Sequence, residues 1–359
     1  MDWIIAAYII AFFFAMNIGA SGTAASMGPA YGSGAIKKRS LAVFLAGISA
    51  FAGALAGGEV VKTIGEGIIP HSVIEPGTVV IILCGACFTL FIANILGIPL
   101  STSEVVIGSL VGVGLAYKDI YIYNLVIILI FWFIIPCVSF LISFFFGKVI
   151  QITKQRYPLL LKKKKWKSLL PYLLIAAGLT EAFAAGMNNV GNAVGPLVGA
   201  GVISVPSALF YGGIFLGLGC MLLGGKVLET NGKRIIPLSV SQGIAVSTTG
   251  GSLVIAASLA GIPVPLTQVT TTAIAGIGAS QYGMRLWQKS ILRQIVNVWL
   301  LSPVVSLVVS YALMMIFIHE DLYTCIVLMS VFIATLGSIH LSRLIKKEKS
   351  QFHDEGSGI

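Results

Sequence analysis

The chain has 359 residues, of which 57% are hydrophobic and 10% charged, with a formal net charge of +10 and a mean hydropathy of +0.97. Soluble domains carry about 25% charged residues. An ordinary soluble enzyme is therefore excluded, and an integral membrane protein is expected.

A helix needs ~20 apolar residues to cross a ~30 Å hydrocarbon core. In chain order the apolar runs are Met1 to Met16, Ser40 to Gly57, Val79 to Leu96, Ile120 to Phe146, Leu169 to Phe183, Ser207 to Leu223, Ile291 to Ile318 and Tyr323 to Leu341. The first run reads as a span rather than a cleaved leader. Asp2 is its only early charge, and a repeat begins a few residues later.

The positive charge lies in loops and the tail. Between Lys148 and Lys167 there are eight basic residues and no acidic one. A short loop of that kind marks the cytoplasmic side and favours anionic lipid over nucleic acid as the partner. The tail adds Arg343, Lys346, Lys347 and Lys349. Cys84 and Cys87 sit in an apolar segment without further ligands and read as small packing residues. His71, His319, His340 and His353 form no metal pattern.

An internal repeat sets the organisation. Gly19-Ala-Ser-Gly-Thr-Ala-Ala-Ser-Met-Gly-Pro29 resembles Gly186-Met-Asn-Asn-Val-Gly-Asn-Ala-Val-Gly-Pro196 at an offset of 167, which holds to Pro70 and Pro237. A second block pairs Gly97-Ile-Pro99 with Gly261-Ile-Pro263 at an offset of 164. The expected layout is an N-terminal transmembrane repeat over 1–147, a basic cytoplasmic linker over 148–168, a C-terminal repeat over 169–342 and a polar tail over 343–359.

Charge placement makes the repeats inverted. Lys37, Lys38 and Arg39 match the neutral Ser204, Val205 and Pro206, while the mostly acidic stretch from Glu59 to Glu75 matches one carrying Lys226, Lys233 and Arg234. Basic loops face the cytoplasm, so matching loops lie on opposite sides, as in alternating-access transporters. Inversion needs an odd number of crossings per copy. The runs before Lys148 give an even count when the Pro99 region is re-entrant, so one of them is misassigned. Glu59 with Lys62, and Lys226 with Glu229, have the i, i+3 spacing of helical ion pairs.

Two kinds of segment interrupt the apolar pattern, once per half. From Gly19 to Gly34, and from Gly186 to Gly201, glycines and a proline predict a helix broken at membrane depth. Such a break is tolerated where it lines a polar cavity. Its side chains are Ser21, Thr23 and Ser26 in one copy and Asn188, Asn189 and Asn192 in the other. Asn188 and Asn192 share a face if helical. The second kind is Gly97-Ile-Pro-Leu-Ser-Thr-Ser-Glu104, matched by Gly261-Ile-Pro-Val-Pro-Leu-Thr-Gln268. Each predicts a re-entrant helical hairpin whose second arm starts at a Ser or Thr cap. Helix N-termini offer N–H groups and a dipole to an anion. Two of them facing each other would hold an oxyanion without a buried Lys or Arg. The candidate substrate ligands are Ser101, Thr102, Ser103, Thr267, Gln268, Asn188, Asn189, Asn192, Ser21 and Ser26; no metal site is expected.

These motifs resemble those of the inorganic phosphate transporter (PiT) family, whose copies each carry G-x-N-D-x-x-N-[SA]-x-G-[TP] and a later P-V-S-T-T-H. Gly186, Asn188, Asn192, Ala193, Gly195 and Pro196 match in the second copy, and Gly19, Ser26, Gly28 and Pro29 in the first. Pro99, Ser101, Thr102, Pro263, Val264 and Thr267 match the later motif. The resemblance implies a multi-pass symporter in the cell membrane, all-α with two inverted-topology repeats, in a homodimer and without a cofactor.

The departures select a branch. Gly22 and Asn189 stand where the family has an acid associated with sodium, and Glu104 and Gln268 where it has histidines. Phosphate retains a proton at neutral pH and benefits from a carboxylate acceptor, whereas sulfate only accepts hydrogen bonds. A carboxylate left unpaired beside sulfate would cost several kcal/mol. The sequence resembles the sulfate permease branch, with sulfate or thiosulfate as substrate. A phosphate symporter and a passive anion channel are the rival readings. Importing a dianion against the membrane potential costs roughly 4.6 kcal/mol per 100 mV, so a coupling cation is required. With the sodium acids absent, protons are expected, and Glu104 and Glu181 are the candidate carriers. No pattern of paired acids or Ser/His/Asp points to an enzyme.

Overall fold

Apolar runs in a chain this poor in charge resolve into helices, because only a helix satisfies its own backbone in lipid. The computed structural model describes residues 2–95, 100–157, 164–232, 238–283, 290–324, 326–327 and 330. No strand occurs among them. The helices are α1 (Asp2–Gly32), α2 (Arg39–Leu55), α3 (Gly58–Glu66), α4 (Pro76–Ile95), α5 (Thr102–Tyr117), α6 (Ile122–Arg156), α7 (Lys164–Gly199), α8 (Val205–Leu222), α9 (Gly224–Gly232), α10 (Val240–Leu259), α11 (Leu266–Tyr282) and α12 (Ser290–Phe317). The chain divides into two compact units, Met1–Ser310 and Tyr311–Ile359. The first holds α1 to α11 and most of α12.

Among the described residues six helices are long and apolar enough to span a membrane, or seven spans when α2 and α3, bent by 64°, count as one broken span. One of them, α10, has no counterpart among the predicted runs. Its Ser247, Thr248, Thr249, Ser252 and Ser258 dilute the apolar signal. Gly97–Pro99, residues 158–163, Lys233 to Pro237 and the tail from 343 lie outside the described residues, as does most of the run from Tyr323 to Leu341. Much of the basic stretch is helical, since α6 continues to Arg156 and α7 begins at Lys164.

The element order repeats. Helices α1 to α6 recur as α7 to α12, and α4 and α10, each 20 residues long, differ by 164 at both ends. Large apolar side chains cover the outside, and a set of polar groups is buried within a mainly apolar core. Phe133 is 75% exposed and Phe145 72%, while Glu104, Glu181, Asn188 and Asn192 are fully buried. An apolar exterior around buried polar groups suits lipid and no aqueous surface.

The predicted breaks in α1 and α7 do not occur: both helices run through their glycines and internal prolines, Pro29 and Pro196. Here the glycines serve contact rather than interruption. A methyl added at Gly19 would overlap the carbonyl of Leu216 in α8, and one at Gly186 the carbonyl of Ala50 in α2. The two crossings, α1 on α8 and α2 on α7, join opposite halves at backbone distance. True breaks come one turn later, at Gly34 (φ +77°) and Gly201 (φ +66°), matching positions whose left-handed backbone ends each helix.

Charged pairs sit at the periphery. Glu59 and Lys62 form the expected i, i+3 pair at 2.8 Å. Glu229 pairs with Arg39 at 3.0 Å, a partner in the other half that the spacing does not indicate.

Gly186→Val should cost about 1–3 kcal/mol or more through overpacking. A lower melting temperature in detergent, or loss of the monodisperse protein, is the expected result. Gly22→Ala, which meets only the Ala185 Cβ at 3.9 Å, should melt like the parent chain.

Candidate functional site

The asparagines of α7 define the centre. Asn188 and Asn192, one turn apart, are fully buried, and Asn189 between them is 6% exposed. All three meet the start of α5. The Asn192 amide donates to Thr102 Oγ1 and Ser103 Oγ, both at 3.1 Å, and to Asn189 Oδ1 at 3.3 Å. Asn189 Oδ1 also accepts from Thr102 Oγ1 at 3.3 Å and from Asn188 Nδ2 at 3.1 Å. Every partner is uncharged. Ser101, 2% exposed, precedes α5 in extended backbone and makes no side-chain cap bond. The asparagine cluster therefore meets the N-terminal end of α5, the positive end of its dipole, through the Thr102 and Ser103 hydroxyls.

Asn188 does a second job. Its Nδ2 donates to Val264 O at 2.9 Å and its Oδ1 accepts from Val264 N at 3.0 Å. This two-point amide clamp holds the Pro263–Pro265 loop that leads into α11. Ser103 Oγ adds a donor to Val264 O at 3.2 Å, and Trp132 Nε1 holds Pro263 O at 2.9 Å. The start of α11 is therefore pinned to α5 and α7.

Glu104 and Gln268 occupy matching positions of the two halves and touch: Gln268 Nε2 donates to Glu104 Oε1. Contact between equivalent positions places them where the two copies meet. Ser302 Oγ of α12 donates to the other oxygen, Oε2. Glu181 lies elsewhere on α7, with its Oε1 accepting from Thr270 Oγ1 of α11 at 2.9 Å.

The remaining candidates are dispersed. Ser21 is exposed and bonds back to Ile18 O at 2.9 Å. Ser26 is buried, donates to Gly22 O at 3.0 Å, and borders with Gly22, Thr23 and Asn189 a small cavity between the halves. Thr267 does not cap its helix: α11 starts one residue earlier, at Leu266, because Pro265 takes the capping position. Three contributors escaped the sequence reading, namely Ser302, the Val264 backbone and Ser306, which donates to Val105 O. Ser302, Ser306 and Ser310 recur every four residues on one face of α12, a signal available in the sequence.

An exterior of exposed phenylalanine on helices long enough to cross a membrane, around buried amides, hydroxyls and carboxyls, defines a multi-pass membrane protein. The sequence profile of the phosphate transporter family matches residues 18–310, and the chain belongs to that family. It is 49% identical over 356 residues to the sulfate permease CysP of Bacillus subtilis (strain 168), covering 99% of both chains. It is 25% identical over 407 residues to the chloroplastic inorganic phosphate transporter 2-1 of Arabidopsis thaliana, covering 83% of this chain and 69% of that one. Among solved structures it resembles a sodium-dependent phosphate transporter, with a TM-score of 0.75 and 26% identity over 87% of this chain and 98% of that chain.

Asn188→Ala removes the side-chain partner of Val264 N and leaves Val264 O to Ser103 Oγ alone. Each unpaired buried group costs about 1–3 kcal/mol, so a lower melting temperature and slower solute uptake are expected together. Ser21→Ala should stay within about 0.5 kcal/mol of the parent.

Proposed function

We propose that the chain imports sulfate, with thiosulfate as a close analogue, by proton-coupled secondary transport across the cytoplasmic membrane, as a homodimer. The observation that carries the substrate is Asn189. At the position where the family resemblance puts an acid, a neutral amide oxygen accepts from Thr102, Asn188 and Asn192. A site of amides and hydroxyls suits an anion that brings no proton to donate. Thr102, Ser103, Asn189 and Asn192 would exchange their mutual bonds for bonds to the oxyanion, near the start of α5. The 49% identity to a protein named a sulfate permease supports the same choice.

The transport cycle in this reading uses inverted halves, with α4–α5 and α10–α11 as re-entrant hairpins. Taking α2 and α3 as a single bent span leaves α1, α2–α3 and α6 as three crossings. That count is odd, as inversion requires. Val79 to Leu96 is then a hairpin arm, which removes the excess crossing. Glu104 is the proton carrier beside the anion. It is fully buried, its two partners are neutral, and its charge stands alone unless a cation joins it.

Phosphate is the alternative, favoured by the resemblance to a sodium-dependent phosphate transporter. Proteoliposomes containing the chain should accumulate labelled sulfate when the exterior is acidified, and should ignore an imposed sodium gradient. Uptake of phosphate but not sulfate would reverse the assignment. Uptake that follows voltage alone would indicate a channel.

Glu104→Gln keeps the shape of the contact with Gln268 and removes the titrating group. Sulfate accumulation should fall at least tenfold, or its dependence on external pH should weaken. An unchanged pH profile in that variant would remove Glu104 from the coupling.

A further inference from the structure

Glu181 stands at the middle of α7, fully buried, and takes no part in the asparagine cluster. Its Oε1 accepts from Thr270 Oγ1 at 2.9 Å. Its Oε2 has no hydrogen-bond partner. The Ser247 hydroxyl of α10 faces the same carboxyl but lies outside hydrogen-bonding geometry and is also unpartnered. A methyl built on Gly250 would sit 3.5 Å from Oε1, so α10 leaves space beside the acid.

The fold does not require this chemistry. In the first half the positions matching Glu181, Ser247 and Thr270 are Phe14, Leu83 and Val106. These three are 1%, 0% and 0% exposed. One copy of the repeat packs an apolar trio where the other buries a carboxyl and two hydroxyls. A buried polar group destabilises unless it is paired, so the second copy maintains Glu181 against the packing preference of its own scaffold.

Among the described residues no charged side chain is paired with it: α3 carries Glu59, Lys62 and Glu66, but meets α7 at Gly191, Gly195 and Gly199, further along the helix. Helix α10 has no titratable side chain, and α11 has only Tyr282 at its end. On α1 and α2 the titratable groups are Asp2, Tyr8, Tyr31 and Arg39, all toward the helix ends. The nearest acid in the network is Glu104, linked to Gln268 two residues before Thr270. Helix α11 therefore joins both buried carboxyls within its first two turns. Among the described residues no second acid, histidine or cysteine joins Glu181 in a cluster that could hold a metal ion, whereas a proton needs only one carboxyl oxygen.

We propose that Glu181 is the second of two proton-binding carboxyls, and that two protons accompany each sulfate. This rests on the proton-coupled sulfate reading. The balance is complete: Glu104 and Glu181 each bind one proton outside and release it inside, and two positive charges cancel the dianion. Transport is electroneutral, and the membrane potential neither opposes nor drives it.

The test is the ratio of protons to sulfate taken up by proteoliposomes of the full chain, read with an internal pH dye and labelled sulfate. Potassium and valinomycin set the potential. The expected ratio is two, with rates equal at zero and at inside-negative potential. Glu181→Gln should lower the ratio to one and make the residual uptake several-fold slower at inside-negative potential. A ratio of one in the unmodified chain, or of two in the variant, overturns the proposal while leaving proton coupling intact. Sulfate uptake with no proton flux removes the coupling reading itself. Should the variant be inactive, the ratio in the unmodified chain decides.

Discussion

Inside a bilayer no water stands by to satisfy a buried polar group, so an amide or hydroxyl that lacks a partner within the protein is costly. The clamp between Asn188 and Val264 answers that constraint and organises the rest of the site. One side chain satisfies a backbone N–H and C=O that an irregular loop would leave bare. The loop is thereby fixed, α11 starts in a defined place, and Gln268 reaches Glu104. The other face of the same cluster fixes Thr102 and Ser103 at the start of α5. A network of neutral groups thus does what ion pairs do elsewhere, without the desolvation cost of charges in lipid.

The repeat gives the scaffold its symmetry, and the side chains remove it. Backbone crossings come in matched pairs, with Gly19 against α8 and Gly186 against α2. The chemistry is shared unequally. The asparagines belong to the second copy, and the hydroxyls they hold belong to the first. Equivalent positions carry Glu in one half and Gln in the other. A polar cluster assembled from unlike halves needs both of them, which ties its integrity to the contact between the copies.

Much of the architecture could be read from the residues because glycines and prolines at constant offsets reveal the repeat without any contact information. The face shared by Asn188 and Asn192 follows from helical spacing alone. Other features depend on tertiary packing. The glycines of α1 and α7 suggest interruption on propensities measured in water, yet at a helix crossing the same residues admit a neighbouring carbonyl and the helix continues. Helix α10 is masked by its hydroxyls, since hydropathy cannot distinguish a serine facing the core from one facing lipid. The meeting of Glu104, Gln268 and Ser302 spans up to 198 residues of sequence, and no local pattern announces it.

The Arg39–Glu229 pair connects the halves at the rim, with its side chains 50% and 45% exposed. At that exposure an ion pair contributes about 0–1 kcal/mol and weakens as salt rises, an energy comparable with thermal agitation. A fastening so slight adds little to the cohesion of the halves, which comes instead from the amide network and the glycine crossings deeper in the protein.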